Sequence, residues 1–254
     1  MDLWSYGVNN YLYISAKMGR NLVIIPTYNE IENVEKMIRK VFSLPKEFHI
    51  LIVDDGSPDG TAQKVKELQN EYSGKLFIEE RKGKLGLGTA YIHGFKWALA
   101  KNYDYIFEMD CDFSHNPDDL IRLLDACEKG ADVAIGSRYC KGGRVSNWPL
   151  GRILMSYFAS VYVRIVLWLP VKDTTAGFKC YKAKVLSSIN LDGIRFMGYA
   201  FQIEMKYTAY KKGFKIVEVP ILFVDRVEGV SKMSTHIFKE AFWGVLQMKF
   251  KKID

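Results

Sequence analysis

The sequence predicts an α/β protein built on a mostly parallel sheet that is flanked by helices, and three features predict it. Apolar runs of strand length alternate with helix-length segments from residue 21 to residue 135. Polar and acidic clusters follow several of these runs, as at the carboxyl ends of parallel strands. With 254 residues and 48% apolar side chains, the chain can bury one large, continuous core.

The first strand and helix are predicted near the N-terminus. Asn21 to Ile25 is a short apolar run that ends at Pro26, and apolar positions then recur at helical spacing from Val34 to Phe42. The alternation continues through the first half of the chain: strand 50–53, a helix through 65–68, a weaker strand 75–79, helix 86–100, strand 105–109, helix 117–127 and strand 132–135. Strands and helices of this length imply right-handed crossovers.

The second half of the chain continues the same domain. After residue 136 the pattern predicts a long helix at about 150–169, a Thr/Gly segment at 173–178, and then a helix, a strand and a helix. No repeat or linker interrupts it. We therefore expect a flexible extension at 1–19, with Met1 or Met18 as the true start, and one domain at 20–234. An amphipathic helix at 235–254 either packs on this domain or lies at a membrane surface.

Charge and cysteine content narrow the classes of partner. The formal net charge is +7, which suits phosphates, nucleic acid or an anionic membrane. We find no nucleic-acid-binding motif and expect no such partner. The four cysteines have no C-x-x-C spacing, so we interpret them as reduced thiols facing a reducing compartment. The first nineteen residues lack the pattern of a signal peptide.

The pair Asp110 and Asp112 follows the strand 105–109 directly. At a strand end both carboxylates can turn toward one hard cation such as Mg²⁺ or Mn²⁺, which keeps open positions for phosphate oxygens. Acidic pairs at strand ends also serve as helix caps or solvated turns. Because Pro117-Asp118-Asp119 offers another cap for the next helix, the pair is freer to bind a metal.

Two earlier strand ends also carry acidic groups. For Asp54 we prefer an Asx turn, whereas Asp55 could point into a crevice and accept hydrogen bonds from a nucleoside. In the segment 26–30, Thr27 or Asn29 could simply cap the helix. Parallel strands bring such ends together, so the three clusters are expected to share one crevice.

Several motifs in order resemble one enzyme family. The segments 26–30, 53–61, 109–112 and 136–139 are similar to family 2 glycosyltransferases with the GT-A fold, and in particular to dolichol-phosphate or polyprenol-phosphate mannose synthases. Further similarity at 173–179 and 223–226 extends the resemblance over about residues 20–234.

The resemblance implies a donor site for GDP-mannose. Its nucleoside pocket would be lined by Pro26, Tyr28, Glu30, Val53 and Asp55. Metal and diphosphate would be held by Asp110, the backbone at Cys111, and Asp112, with Ser114 near the ion. This family often has Ala at the position of Cys111, but the backbone makes the contact there. Ser114 is a weaker ligand than the Gln of some relatives, so water would complete the metal shell.

The resemblance also implies an acceptor site for dolichyl or polyprenyl phosphate. Arg138, Arg152 and Ser156 would receive the lipid phosphate, and guanidinium groups suit that task. Arg138 alone is equally compatible with a surface salt bridge. Arg226 and Lys232 match a loop that closes over the donor pyrophosphate, and a solvated connection is the alternative.

The implied reaction is inverting transfer of mannose, with Asp110, Asp112 and Arg138 as the predicted catalytic residues. Transfer of glucose or another hexose from a different nucleotide sugar is the alternative within enzymes. A non-catalytic binding subunit that keeps the fold is the alternative outside them.

A lipid acceptor raises the question of membrane contact. No uninterrupted run of about twenty apolar residues occurs, which argues against a spanning helix. The nearest candidate, 153–171, is interrupted by Ser156, Ser160 and Arg164, which continue a polar stripe from Arg152. We therefore expect peripheral association at the cytoplasmic face of a membrane, directly or through a membrane-anchoring subunit.

Overall fold

The strands lie in two sheets. A computed structural model of the chain describes residues 19–225 and 235–250. The strands are β1 (Asn21–Thr27), β2 (His49–Asp54), β3 (Leu76–Glu80), β4 (Tyr105–Glu108), β5 (Val133–Ser137), β6 (Arg144–Ser146), β7 (Lys179–Lys182), β8 (Ile216–Pro220) and β9 (Leu222–Val224). The main sheet has the order β3-β2-β1-β4-β7-β5-β8, and β6 pairs with β9 in a small parallel sheet.

Helices connect most of the strands. They are α1 (Ile31–Phe42), α2 (Thr61–Gln69), α3 (Leu87–Ala100), α4 (Asp119–Glu128), α5 (Leu150–Leu167), α6 (Ala183–Ser188), α7 (Tyr199–Lys211) and α8 (Thr235–Phe250), with a short 3₁₀ turn at Leu191–Gly193. The predicted alternation in the first half is confirmed, and the boundaries differ by a few residues at most elements.

Two apolar layers cover the main sheet. Alternate residues of β1 face opposite sides, with Leu22 and Ile24 toward α3 and Val23 and Ile25 toward α1. One layer contains side chains of α3, α5, α6, α7 and α8, and the other those of α1, α2 and α4. The sheet is thus buried on both faces, as expected for a mostly parallel sheet.

The strand β7 was not predicted from the sequence. It runs antiparallel to both neighbours, β4 and β5, in the interior of the sheet. Its sequence KCYK reads as polar, yet Lys179 is fully buried and pairs with Glu108. The other central strands are marked by an apolar sequence pattern, whereas β7 contains a buried lysine whose charge is compensated by a distant glutamate.

The C-terminal helix α8 packs on the domain along one side. Val245 and Met248 belong to the core, while Phe242, Trp243 and Phe250 are exposed. Ring stacking at 4.8 Å joins Phe242 to Tyr162 of α5. Packing on the domain and an exposed apolar edge thus occur together.

The long helix α5 bears on the expectation that no helix spans a membrane. In the described ranges it is the single helix of sufficient length and apolar composition to span a membrane, and only 17% of it is buried. The polar stripe predicts that this segment does not span a membrane, while its length of 18 residues and its few charges are compatible with a span. Length and composition alone do not distinguish a spanning helix from one that lies along a surface.

Candidate active site

The carboxyl ends of β2, β1 and β4 lie side by side, because these strands are parallel neighbours. A cavity of about 960 Å³ opens over these ends and continues between α5, α7 and α8. Most of the predicted site residues in the described ranges line it: Pro26, Tyr28, Glu30, Asp55, Asp110, Cys111, Asp112, Ser114, Arg138, Arg152 and Ser156.

Val53 does not line the cavity. Its side chain is fully buried in the apolar layer on the α3 side of the sheet. Strand alternation directs the Val53 side chain into this layer, away from the cavity, and the predicted place of Val53 in the nucleoside pocket stays a prediction.

The loops after β1 and β2 hold each other in place. Asp54 accepts hydrogen bonds from the backbone N–H of Ser57 at 2.8 Å and from the Thr27 hydroxyl at 2.8 Å, so its role is structural, although the bond reaches three residues on and not the two of the predicted Asx turn. Asp59 accepts the N–H of Ile31 at 3.1 Å, and this carboxylate therefore serves the N-terminus of α1 from the neighbouring loop. Much of the motif at 54–61 is structural.

Asp55 is held by an arginine that the sequence did not reveal. Arg81 Nε and Nη2 lie 2.6 and 2.5 Å from Asp55 Oδ1, and both side chains are nearly buried. Arg81 also donates to the Thr89 hydroxyl at 2.8 Å, which links the pair to the first turn of α3. The Asp55 carboxylate therefore faces the cavity in a fixed orientation. Across from it, the Lys84 ammonium lies 5.0 Å from the Tyr28 ring.

The predicted metal-binding pair lies immediately after β4. Asp110 is 37% exposed in its side chain, and its Oδ1 accepts a hydrogen bond of 3.3 Å from the Tyr91 hydroxyl. Asp112 Oδ1 accepts the backbone N–H of Ser114 at 3.0 Å. A left-handed backbone at Phe113, with φ of 57°, turns the chain so that both carboxylates stay at the cavity.

The donor set fits a hard divalent cation. Two carboxylates and the Ser114 hydroxyl are oxygen ligands of the type that Mg²⁺ and Mn²⁺ prefer, with several positions left for water and phosphate. Within residues 19–225 and 235–250, no group of three or more His, Cys, Asp or Glu side chains is arranged to hold a metal. Burial raises the pKa of the Cys111 thiol, so this residue is a neutral side chain at physiological pH. The pair therefore suits an ion shared with the substrate.

His115 was missed by the sequence analysis. It is almost fully buried, stacks on Phe178 at 5.0 Å, and places Nδ1 3.9 Å from Asp110 Oδ2. Burial lowers the pKa of His115 to about 4, so the ring is neutral at pH 7. A lone histidine with no metal-ligand spacing gave no signal in the sequence.

Arg138 is engaged in a buried ion pair. Its Nε and Nη2 lie 2.7 and 2.6 Å from the two carboxylate oxygens of Asp173, and Nη2 also donates to the Thr175 hydroxyl at 2.8 Å. Although burial opposes both charges, each partner stabilises the other, raising the pKa of Arg138 and lowering that of Asp173. The alternative predicted for Arg138, a surface salt bridge, is thus wrong in one respect: the salt bridge exists, but it is buried. The predicted role in phosphate binding stays a prediction.

Arg152 lies one helical turn from Ser156 at the other side of the cavity. Its Nη1 contacts both oxygens of Asp225, at 3.2 and 3.0 Å, and its guanidinium stacks on Trp148 at 4.0 Å. The predicted loop residues Arg226 and Lys232 follow Asp225 and lie outside the described residues.

A buried polar layer supports the floor of the cavity. Lys179 Nζ lies 2.9 Å from Glu108 Oε2 and hydrogen-bonds Gln202, whose amide donates to the same Glu108 oxygen at 2.9 Å. Lys206 donates to two carbonyls of the loop 173–177, at 2.9 and 2.7 Å. This ammonium group fixes the loop that carries Asp173 and passes beneath Asp110.

The chain is similar in sequence to a known family and to several named proteins. The family model described as Glycosyl transferase family 2 matches residues 22–189. A polyprenol monophosphomannose synthase of Mycolicibacterium smegmatis is 47% identical over 89% of this chain and 87% of its own length. An undecaprenyl-phosphate mannosyltransferase of Micrococcus luteus is 45% identical over 89% of this chain and 94% of its length. A dolichol-phosphate mannosyltransferase of Pyrococcus furiosus is 38% identical over 87% of this chain, which spans 63% of that protein.

Solved structures share the fold at low sequence identity. Glucosyl-3-phosphoglycerate synthase from Mycobacterium tuberculosis, in complex with Mn²⁺, UDP-glucose and glycerol 3-phosphate, superposes with a TM-score of 0.64 at 17% identity. The match covers 91% of this chain and 80% of that one. S. aureus TarS in complex with UDP gives a TM-score of 0.58 at 21% identity, covering 91% and 64%. The predicted GT-A-like fold is thereby confirmed.

Proposed function

Because this chain belongs to glycosyltransferase family 2 and is therefore a glycosyltransferase, we propose that it transfers mannose from GDP-mannose to dolichyl or polyprenyl phosphate. Three relatives between 38% and 47% identical are named for mannose and for polyprenol, undecaprenyl phosphate or dolichol phosphate. The fold and the relatives support glycosyl transfer as the reaction class. The site supports a nucleotide sugar as donor and a lipid phosphate as acceptor.

One observation carries the proposal: a single cavity joins a polar end to an apolar end. The polar end holds Asp55, Asp110 and Asp112, and the apolar end is lined by side chains such as Phe158 and Val163 from α5 and Val245 from α8. Arg138 and Arg152 lie on the cavity wall. This order matches a nucleotide sugar, then a phosphate, then a hydrocarbon chain.

The polar end is assigned to the donor. Tyr28 and Pro26 offer flat surfaces beside a nucleobase, while Asp55, oriented by Arg81, is an acceptor for base or ribose hydrogen bonds. Asp110, Asp112 and Ser114 would hold Mg²⁺ or Mn²⁺. Such an ion stabilises the charge that develops on a departing diphosphate. We also assign Arg226 and Lys232 to that diphosphate.

The acceptor needs no protein base. A phosphate monoester with a second pKa of about 6 is mostly dianionic at neutral pH. Its oxygen bonds to the anomeric carbon while the bond from that carbon to the diphosphate oxygen breaks, and the bond electrons leave with GDP. Arg152 and Ser156, with the Arg138 guanidinium, align the attacking phosphate, so positioning and charge stabilisation supply the catalysis.

The deciding assay is transfer from a panel of donors. Purified full-length protein is incubated with Mg²⁺ or Mn²⁺, a short polyprenyl phosphate, and labelled GDP-mannose, UDP-glucose or UDP-N-acetylglucosamine. We expect lipid-linked product from GDP-mannose alone. Product from another donor would replace the sugar assignment, and no product from any donor would refute the function. Asp118→Asn is a control that should retain activity, because it changes an exposed aspartate that pairs with Lys40.

A lipid acceptor places the reaction at a membrane, and α5 supports direct contact with it. Leu150, Phe158 and Ile165 are 70%, 61% and 68% exposed along one face of this helix. Trp243 and Phe250 add exposed apolar area from α8. We therefore assign peripheral association with the bilayer through these two helices. Flotation with liposomes tests it, and protein that stays wholly in solution would point to an anchoring subunit instead.

A further inference from the structure

A second, smaller cavity lies at the C-terminal end of α5. It has a volume of about 390 Å³ and is lined by Val161, Arg164, Ile165, Trp168, Leu169 and Pro170. None of these residues lines the large cavity described above. Five of the six are apolar, and Arg164 is the single charged residue among these lining residues in the described part of the chain.

Arg164 differs from Arg152, the other arginine of α5, which forms an ion pair with Asp225. The Nε of Arg164 is buried without a hydrogen-bond partner in the part of the chain that the structure describes, and no described carboxylate pairs with it. Because the neighbouring side chains are apolar, they offer the Arg164 guanidinium no hydrogen-bond acceptor. It is therefore suited to an anion that enters from outside the protein.

The helical period explains where this arginine points. Positions four residues apart on an α-helix advance by 400°, so the polar stripe Arg152, Ser156, Ser160 and Arg164 drifts by about 120° around the axis. The stripe begins at the catalytic cavity, where Arg152 meets Asp225. It ends beside the exposed apolar face that carries Leu150, Phe158 and Ile165.

The surroundings of Arg164 favour a lipid headgroup as the anion. Trp168, which is 77% exposed, and Ile165, which is 68% exposed, flank it on the apolar face. A second cation, Lys249 of α8, lies 5.6 Å from the Trp168 ring and donates to the Val166 carbonyl at 2.7 Å. An exposed indole between two cations at the edge of an apolar surface is the arrangement expected at the boundary of acyl chains and headgroups.

We propose that the cavity at the C-terminus of α5 binds the phosphate of an anionic phospholipid, with Arg164 as its principal contact and Lys249 as the second cation. The site lies apart from the reacting groups. It orients α5 at the bilayer surface and gives the enzyme a preference for anionic membranes. The inference rests on the bilayer contact assigned above, and it is independent of which sugar is transferred.

Vesicle binding tests the proposal. Full-length wild type and Arg164→Gln are mixed with phosphatidylcholine vesicles, with or without about a quarter phosphatidylglycerol, and the bound fraction is measured by flotation. A basic residue near anionic lipid contributes about 1 kcal/mol, which is a fivefold change in partitioning. We expect Arg164→Gln to bind anionic vesicles about fivefold more weakly and neutral vesicles equally well.

The matched control is Arg122→Gln. Arg122 is an arginine of α4, on the opposite face of the sheet, so the substitution removes the same charge away from the bilayer. It should bind both kinds of vesicle as the wild type does. Equal losses for both variants would indicate diffuse attraction and overturn the site, as would wild-type binding by Arg164→Gln. If Arg164→Gln fails to fold, Lys249→Gln carries the same test with the same expected direction.

A transfer assay in detergent separates this inference from the proposed function. Arg164→Gln should transfer mannose to a short polyprenyl phosphate at the wild-type rate, because its side chain lies outside the catalytic cavity. Normal transfer with unchanged vesicle binding would overturn the headgroup site alone. Absent transfer by the wild type, with vesicle binding as expected, would overturn the function alone.

Discussion

The ion pair between Arg138 and Asp173 allows a stability prediction with a defined size. Asp173 is fully buried and Arg138 is 9% exposed in its side chain. The carboxylate accepts three hydrogen bonds from Arg138: from the backbone N–H at 2.9 Å, and from Nε and Nη2 at 2.7 and 2.6 Å. Asp173→Asn keeps the size of this side chain but leaves the guanidinium without its counter-charge.

The expected cost follows from burial. Removing one partner of a buried ion pair costs about 3–5 kcal/mol, because the remaining charge stays desolvated. For a domain of this size each kcal/mol lowers Tm by about 2–4 °C. Asp173→Asn should therefore lower Tm by about 6–20 °C. An exposed pair would lose roughly 1 kcal/mol or less.

Thermal unfolding of matched variants provides the measurement. Asp118→Asn breaks the exposed pair with Lys40 and should change Tm by only a few degrees, about 4 °C at most. Replacing both buried partners, as Arg138→Met with Asp173→Leu, should recover much of the stability while leaving transfer impaired. If Asp173→Asn and Asp118→Asn had the same Tm, the ion pair between Arg138 and Asp173 would not be buried in solution, which would refute the expected cost.

Three further predictions concern the reaction and its pH range. Asp112→Ala should remain folded and lose transfer about a hundredfold or more, and full activity of the wild type in excess EDTA would contradict a metal requirement. Arg152→Gln should raise the KM for polyprenyl phosphate about tenfold with little change for GDP-mannose, which initial rates at varied acceptor will report. His115 should make stability depend on pH, because its pKa falls from about 6.5 in the unfolded chain to about 4 when buried. The contribution of neutral, buried His115 to the free energy of unfolding is fully present above about pH 6.5, and it falls by about 3 kcal/mol as the pH drops toward 4. Urea unfolding of His115→Gln should lack this part of the slope.

The sequence predicted what depends on local pattern. Alternating apolar segments located the first five strands of the sheet and the helices between them, because period and length are local properties. Asp110 and Asp112 were predicted at the cavity because they directly follow a strand, and parallel strands bring such ends together. The order of the strands and the insertion of β7 between β4 and β5 required contacts between distant segments.

What the sequence could not predict depends on pairs far apart in the chain. Asp55 and Arg81 are 26 residues apart, and Arg138 and Asp173 are 35 apart. Asp55 and Arg138 were predicted as site residues, but their partners Arg81 and Asp173 were not, because each pair joins separate segments of the chain. Val53 shows the converse, since its motif position suggested ligand contact but strand alternation buried its side chain.

The helix α5 connects the two membrane-related proposals through its geometry. Its exposed apolar residues Leu150, Phe158 and Ile165 stay within about 80° of one direction, whereas its polar stripe drifts by about 120° and approaches that face at Arg164. The stripe faces the catalytic cavity at Arg152 and reaches the smaller cavity at Arg164, three turns later. Anchoring the Arg164 end at a headgroup would therefore fix the rotation of α5 about its own axis. That rotation sets whether Arg152 and Ser156 face an acceptor phosphate that rises from the same bilayer surface. Headgroup binding should consequently lower the KM for a long polyprenyl phosphate in anionic vesicles and leave the KM for a short one in detergent unchanged. Equal KM values for wild type and Arg164→Gln in anionic vesicles would show that the two ends of α5 act independently.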